Sequence, residues 1–326
     1  MYAQEKRILD IWKAFAAGDA MGMPTEFMTI DEIRAAVPEL PESFVPSRLS
    51  KKHPDLPEGS VTDDTEQNLY LLAETEKAGC LTPEVSVTAL KKWIRETGAV
   101  EKKVIGPSSL RALDAIENGM PVEKAGTGGT TCGGMMRTPA AVLWDPEQDE
   151  SRLTESIYAA LLPTHNTSEA LEAAGAYGFA LQTALRGGDL SSICEAAVRG
   201  GNALIRRAPE ISCAPSSVER LLAARSLALP EDELLSFLFR VWGTGLPSAD
   251  VCGAVFAVFF SAGKDVWKAV RLSTVLGGDT DTIGALSAAL CCAYAGRSNI
   301  PPSVTGRILD VNKDLFRAKL PPILPS

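Results

Sequence analysis

The chain has 326 residues, of which 45% are hydrophobic and 22% charged, so it can bury a sizeable core as one large domain or two. Its formal net charge is −9 and no run of lysine or arginine stands out, which argues against a non-specific nucleic-acid binder. The seven cysteines include no Cys-x-x-Cys pair, which indicates a reducing compartment.

The sequence indicates neither a signal peptide nor a membrane span. Residues 1–10 carry charges where a signal peptide needs an apolar core, and the longest apolar stretch, residues 251–262, is too short to cross a bilayer. We therefore expect a soluble, cytoplasmic protein that binds neither membrane nor nucleic acid. His53 and His165 are the only histidines, which nearly excludes a histidine-rich zinc site, so hydrolytic chemistry must rely on carboxylates and metal.

Helical periodicity begins near the N-terminus. Apolar residues recur at three- and four-residue spacing from Ile8 to Phe15 and predict a first helix that ends at Gly18 and Asp19. Five prolines follow, so residues 38–59 are predicted as a long loop, and loops of this length often cover a functional site.

The rest of the chain is also predicted to be helical. Thr62 is predicted as the N-cap of the helix after the loop. Further helical segments follow at residues 85–96, 108–118, 168–186, 190–205, 217–228, 231–241, 248–262, 266–275 and 282–295. Strand-like alternation is scarce, and no linker is long enough to divide the chain. We therefore predict an all-α fold in which residues 1–326 form a single compact multi-helix bundle.

Two acidic clusters lie far apart in the sequence, each at the start of a predicted helix. Their members are Thr62, Asp63 and Asp64 in the first, and Asp279, Asp281 and Thr282 in the second. Their oxygens suit hard cations such as Mg²⁺ or Mn²⁺, although each cluster alone is also typical of a capped helix start. Asp279 and Asp281 converge only from an irregular turn, which Gly277 and Gly278 provide. Two such clusters favour a shared site for one or two ions.

Three further segments are candidates for the site. Glu26 lies beyond the first helix, next to Pro24, where a carboxylate can face a cleft. Residues 126–137 are the segment richest in glycine, and their backbone amides can approach phosphate oxygens closely. The alternative interpretation is a mobile surface turn. The segment matches neither a Walker loop nor a dinucleotide-binding fingerprint. His165 precedes the helix predicted from Ser168, where it either has a capping role or lies beside a ligand.

Five motifs occur in one order along the chain: GDAMGMPTEF, VTDDTEQ, a glycine-rich segment ending in Met-Arg, a Thr-His pair before a helix, and LGGDTDTIGALSAALCCAYAG. Together they resemble the ADP-ribosylglycohydrolase family. The resemblance extends from about Lys6 to Gly296, and VTDDTEQ and GGDTDTIGA are its most specific motifs. It implies an all-α fold of that family's type with a centre of two Mg²⁺ ions, or Mn²⁺ in their place.

The resemblance also implies roles for residues of this sequence. The positions that match the metal site are Thr62, Asp63, Asp64, Asp279, Asp281 and Thr282. Glu26 matches an acidic position proposed to touch the metals or assist catalysis, so Glu26 or a metal-ligand aspartate such as Asp64 is expected to act as the general base. Substrate contacts are expected at Cys132, Gly133, Gly134, Met135, Met136 and His165.

The reaction implied by the resemblance is hydrolysis of the bond between C1 of the distal ribose and an arginine, serine or other acceptor, with release of ADP-ribose. The partner is then an ADP-ribosylated protein or a small ribosyl substrate, and the oligomeric state is left open.

Cys132 stands where relatives often carry Asn, and Lys102, Lys103 and Val104 occupy a neighbourhood where some carry Asp. Three alternatives stay open: an N-ribosidase acting on a nucleoside-like molecule, a catalytically silent ADP-ribose-binding relative, and a metal phosphohydrolase.

Overall fold

The computed structural model describes residues 3–320, and within that range it has no β-strand, only one isolated antiparallel bridge between Thr131 and Pro247. The all-α prediction is confirmed. The helices are α1 (Ala3–Gly22), α2 (Ile30–Ala36), α3 (Asp63–Ala78), α4 (Pro83–Thr97), α5 (Pro107–Glu117), α6 (Val122–Ala125), α7 (Thr138–Leu143), α8 (Glu150–Leu161), α9 (Ser168–Leu185), α10 (Leu190–Ile205), α11 (Ser217–Arg225), α12 (Glu231–Phe237), α13 (Ser248–Ala262), α14 (Val266–Thr274), α15 (Thr280–Ala295), α16 (Pro302–Val311) and α17 (Lys313–Lys319). Single 3₁₀ turns lie at Met23–Thr25, Ser47–Leu49, Gly126–Gly128 and Met135–Arg137.

The chain divides into two compact units by its internal contacts. The first unit consists of Met1–Thr65, Leu221–Leu246 and Asp250–Ser326, and the second of Glu66–Arg220 and Pro247–Ala249. The single domain predicted for residues 1–326 stays a prediction, and its residues 1–2 and 321–326 lie outside the described part of the chain.

In the first unit, α1 packs along α15, and the two backbones touch through glycine. A Cβ atom on Gly18 would lie 2.1 Å from the carbonyl oxygen of Gly284. The prediction that the first helix ends at Gly18 and Asp19 is wrong, because α1 continues to Gly22. Glycine inside a helix costs about 1 kcal/mol relative to alanine, and here the close contact between the helices offsets that cost.

The predicted helix positions agree with the structure along most of the chain. All nine segments predicted after α3 are helical, and both ends of α10 and α13 agree. The segment 231–241 was predicted as one continuous helix, but α12 ends at Phe237 and is followed by a π-helical turn at Leu238–Trp242. The predicted loop at 38–59 contains one 3₁₀ turn and no α-helix. Among residues 3–320, the structure contains no helix with the length and hydrophobicity needed to cross a membrane.

The second unit is built around α9, most of whose residues are buried. α10 lies against one side of α9, where a Cβ atom on Gly175 would come within 2.3 Å of the carbonyl oxygen of Gly200. α7 and α8 also pack on α9. The glycine-rich segment and His165 belong to this unit, whereas both acidic clusters belong to the first.

Candidate metal centre

The end of α1 lies directly beside the start of α15. A Cβ atom on Gly22 would lie 2.4 Å from the carbonyl oxygen of Thr280, so a larger residue would push the two helices apart. The Thr280 hydroxyl donates a hydrogen bond to the carbonyl oxygen of Gly22 at 2.8 Å. Asp19, in the last turn of α1, is thereby brought next to the second acidic cluster.

An irregular turn leads into α15, as the sequence predicts. Gly277 and Gly278 adopt φ values of +85° and +83°, a left-handed conformation that favours glycine. The amide of Phe27 donates to the carbonyl oxygen of Gly278 at 2.7 Å, which ties this turn to the segment that carries Glu26. The turn therefore delivers Asp279 to the same place as the side chains that follow α1.

Asp19 fixes the first acidic cluster onto α1. Its fully buried carboxylate accepts hydrogen bonds from the amide and the hydroxyl of Thr62, at 3.0 and 2.8 Å. It also accepts from the amide of Thr65 at 3.1 Å and from the Thr65 hydroxyl. Thr62 stands at the N-cap position of α3, but Asp19 satisfies the amide of Thr65 that an N-cap side chain would normally satisfy.

The two acidic clusters meet at Asp64 and Asp281. The hydroxyl of Thr282 donates to Oδ2 of Asp64 at 3.1 Å. One oxygen from each of Asp19, Asp64 and Asp281 can be chosen so that all three lie within 4.8 Å of one another, and all three residues are buried. This arrangement offers three carboxylates to one cation.

A second group of carboxylates shares Asp281 with the first. Oxygens of Glu26, Asp279 and Asp281 also lie within 4.8 Å of one another, and these residues are likewise buried. Oε1 of Glu26 accepts a hydrogen bond from Nζ of Lys52 at 2.8 Å. Oε2 of Glu26 is buried and has no hydrogen-bond partner among residues 3–320, so one oxygen remains available to an ion.

The electrostatics of these carboxylates fit a divalent cation. Burial, reinforced by the charge of Asp281, raises the pKa of Asp19 to about 7 and that of Glu26 to about 9. Burial also raises the pKa values of Asp64 and Asp281. Buried carboxylates of like charge are costly to ionise, and a bound cation removes that cost. The donors are all oxygens, the type that Mg²⁺ and Mn²⁺ prefer.

Two of the predicted ligands are placed differently from the others. Asp63 is half-buried at the first position of α3, outside both carboxylate groups, and its charge contributes to raising the pKa of Asp64. The hydroxyl of Thr62 donates to Asp19. The hydroxyl of Thr282 likewise donates to Asp64. Metal binding stays a prediction for all six residues, Thr62, Asp63, Asp64, Asp279, Asp281 and Thr282.

In the second unit, the glycine-rich segment packs tightly on the residues before α9. A Cβ atom on Gly129 would lie 2.0 Å from the carbonyl oxygen of Thr164, and one on Gly126 would lie 2.3 Å from that of Leu162. The segment is therefore held by close backbone contacts. Of the predicted substrate-binding residues, Gly133 is half-buried, and the buried ones are Cys132, Gly134, Met135, Met136 and His165.

His165 is held at both ring nitrogens. The Arg137 guanidinium donates to the Thr164 hydroxyl, which lies 2.8 Å from Nδ1 of His165. The Arg137 guanidinium can only donate, so the Thr164 hydroxyl accepts from it, and a second lone pair or the hydroxyl proton is left for the contact with Nδ1. Nε2 lies 3.0 Å from the Thr131 hydroxyl. Burial, with the charges of Arg137 and Arg111, places the pKa of His165 well below its usual value. A substrate contact by this residue stays a prediction.

Residues 1–321 match the ADP-ribosylglycohydrolase family. The chain belongs to that family. It is similar to the uncharacterized protein YegU of Escherichia coli strain K12, with 29% identity over 314 residues that cover 94% of this chain and 93% of the relative. It is also similar to an uncharacterized protein of Archaeoglobus fulgidus, with 28% identity over 294 residues, 88% of this chain and 87% of the relative.

Solved structures show the same fold. The chain is similar to the structure of an ADP-ribosylglycohydrolase-related protein complex, with a TM-score of 0.64 and 24% identity across 98% of this chain and 100% of the other. Membership of the ADP-ribosylglycohydrolase family makes the chain part of a glycosidase family of hydrolases. Members of this family are in general metal-dependent, and the carboxylate groups described above fit such an ion.

Two residues of the candidate site in this member of the ADP-ribosylglycohydrolase family were not predicted from the sequence. Asp19 lies four residues after Phe15 on the apolar face of α1, and an acid in that position is a signal of a buried functional carboxylate. It was instead interpreted as part of the helix end. Lys52 lies in an irregular loop where no periodicity points to a partner, so its pairing with Glu26 has no local sequence signal.

Proposed function

We propose that the chain is a Mg²⁺-dependent hydrolase that cleaves the glycosidic bond at C1 of the ribose of an ADP-ribosylated acceptor and releases ADP-ribose, with Mn²⁺ as the alternative ion. The main support is that Asp281 belongs to two groups of buried carboxylates, one with Asp19 and Asp64 and the other with Glu26 and Asp279. Two adjacent groups that share a ligand suit a centre of two ions.

Each part of the site has a role in this reaction. Divalent ions held by these carboxylates would supply Lewis-acid stabilisation and orient the ribose hydroxyls and a water molecule. Asp19 keeps Thr62 and Thr65 in place and so fixes the start of α3, where Asp64 lies. The carboxylates favour the positive charge that develops on the ribose as the glycosidic bond breaks.

Glu26 and Asp64 are the candidates for the general base. A pKa of about 9 means that Glu26 holds a proton at neutral pH when no ion is present. The positive charge of Lys52 and of bound ions favours the ionised form, which is the form that can accept a proton from water. Asp64 has a raised pKa for the same reason, burial, and its Oδ2 is oriented by Thr282.

In this proposal the ADP-ribose moiety contacts the glycine-rich segment at residues 126–137. The residues assigned to this contact are Cys132, Gly133, Gly134, Met135, Met136 and His165. The support is that the segment is fixed by backbone contacts with Thr164 and that Gly133 is partly exposed, so amide groups are available at a rigid surface. Cytoplasmic location and an ADP-ribosylated protein as partner complete the proposal.

The test is identification of products by mass. The protein is incubated with an ADP-ribosyl-arginine peptide and an ADP-ribosyl-serine peptide, each with Mg²⁺ or with EDTA. We expect free ADP-ribose and the unmodified peptide from at least one of them with Mg²⁺ only. Asp310→Asn, at an exposed aspartate of α16, serves as a matched control that keeps the activity of the unaltered protein.

Other products point to the alternatives. AMP with a ribose phosphate would indicate cleavage of the diphosphate by a metal phosphohydrolase. Hydrolysis of a nucleoside without hydrolysis of either peptide would indicate an N-ribosidase. ADP-ribose binding without turnover, in a folded protein with Mg²⁺ present, would indicate a catalytically silent relative and would contradict the proposal.

A further inference from the structure

Lys52 carries a positive charge from the loop at residues 38–59 into contact with the carboxylate cluster. Its Nζ atom lies 2.8 Å from Oε1 of Glu26, and its side chain is 41% exposed while that of Glu26 is only 5% exposed. The same ammonium group lies 4.4 Å from the centre of the Phe27 ring, which favours a cation at that position. The ion pair therefore joins a partly exposed lysine to a buried carboxylate.

The charge of Lys52 acts beyond Glu26. Asp281 and Asp63 also interact electrostatically with its ammonium group, after the larger contributions from burial and from Glu26. Asp281 is the carboxylate common to both groups. Lys52 thus offsets part of the negative charge that a metal ion would otherwise have to offset.

The neighbouring lysine holds the loop independently. Nζ of Lys51 pairs with Glu32 at 2.9 Å and donates to the carbonyl oxygen of Phe27 at 3.1 Å. Glu32 caps α2 through a capping box and belongs to neither carboxylate group. Replacing Lys52 therefore leaves an anchor of this loop in place, and Lys51 provides a matched control of the same charge.

We propose that Lys52 serves as a built-in counter-cation of the centre and sets how tightly the Glu26 side holds its divalent ion. In the absence of that ion, the ammonium group donates a hydrogen bond to Oε1 of Glu26 and favours the ionised form of this carboxyl group. Oε2 of Glu26 would be the oxygen left to hold the ion, since Oε1 already accepts from Lys52, and the two cations would repel each other at short range. Lys52 thereby weakens metal binding and keeps the ion exchangeable. This inference rests on the metal centre of the proposed function.

The test measures metal affinity and metal-free stability in the same set of proteins. Mn²⁺ is titrated by calorimetry into the metal-free unaltered protein, Lys52→Met, Lys52→Arg and Lys51→Met. We expect Lys52→Met to bind Mn²⁺ about tenfold more tightly, since a nearby positive charge has been removed. The same variant is expected to melt at a lower temperature without metal, because the buried carboxyl group of Glu26 has lost the hydrogen bond from Nζ of Lys52.

Tighter Mn²⁺ binding together with a lower metal-free melting temperature distinguishes the proposed role of Lys52 from a purely structural role. A structural role lowers the melting temperature without tightening Mn²⁺ binding, and that result would overturn the inference, as would weaker binding by Lys52→Met. Lys52→Arg keeps the charge and is expected to behave like the unaltered protein, as is Lys51→Met in its Mn²⁺ affinity. If none of the four proteins binds Mn²⁺, the metal centre of the proposed function itself fails, which is a different result from equal affinities.

Discussion

The hydroxyl of Thr282 donates a hydrogen bond to Oδ2 of Asp64 at 3.1 Å, across 218 positions of the chain. This bond joins the two acidic clusters and orients a carboxylate that is offered to a cation. Thr282→Val keeps the shape of the side chain and removes the donor, so we expect about tenfold weaker binding of Mg²⁺ or Mn²⁺ in a calorimetric titration. Thr282→Ser retains the hydroxyl and should bind nearly as tightly as the unaltered protein. Equal affinity in the valine variant would show that this hydroxyl plays no part in the centre.

Without metal, the stability of the protein is expected to fall as pH rises. Asp19 and Glu26 titrate at about 7 and about 9 in the folded protein, against ordinary values of 3.8 and 4.5. Between those limits the folded protein binds more protons than the unfolded chain. The contribution of these two groups to the free energy of unfolding is therefore fully present below about pH 4 and decreases as the pH rises to about 9. Thermal unfolding at several pH values checks this in EDTA, and excess Mg²⁺ should restore the stability at high pH. A melting temperature that rises with pH throughout this range in EDTA would contradict the account.

His165 is expected to stay neutral around pH 6.5, where an exposed histidine titrates. Burial lowers the pKa of its ring well below the usual value, and both ring nitrogens lie within hydrogen-bond distance of threonine hydroxyls, Nδ1 at 2.8 Å from Thr164 and Nε2 at 3.0 Å from Thr131. Nitrogen-15 NMR of the imidazole groups tests this, because the chain has two histidines and His53→Gln identifies the other signal. A His165 ring that titrates at about pH 6.5 would contradict the expectation.

Contact between α1 and α15 should be sensitive to a single methyl group. Gly18→Ala would place a Cβ atom 2.1 Å from the carbonyl oxygen of Gly284, so the helices must separate, and we expect a loss of about 3 kcal/mol in the free energy of unfolding. Gly306 lies in α16 with open space around it, and Gly306→Ala should be neutral or stabilise the protein by up to about 1 kcal/mol. Urea denaturation compares the two. Equal stabilities would mean that the helices do not approach as closely as described.

Local patterns in the sequence were enough to predict most helices. The apolar periodicity and flanking breaks of α10 and α13 gave both ends correctly, because these signals lie within the helix itself. Gly18 was misinterpreted as the end of the first helix. A helix end and a close contact between helices both favour glycine, and only the contact with Gly284 distinguishes them. The first helix was therefore predicted too short.

The candidate site was predictable only where its residues form compact motifs. Asp64 and Asp281 stand in such motifs, and the structure brings them together. Asp19 was missed, although its spacing from Phe15 places it on the buried face of α1. Lys52 reaches Glu26 from an irregular loop, and no periodic pattern over the 26 positions that separate them fixes their distance. Contacts of this kind depend on how the loop folds back over the chain.

Asp281 provides the most direct test of the account, because it belongs to both carboxylate groups. Mg²⁺ and Mn²⁺ are titrated by calorimetry into the metal-free unaltered protein and into Asp281→Asn, with Asp310→Asn as the exposed control. We expect Asp281→Asn to keep the fold, to melt no lower without metal because a repelling charge is gone, and to lose both metal binding and metal-dependent turnover. Metal binding by Asp281→Asn with the affinity of the unaltered protein would contradict the proposed centre.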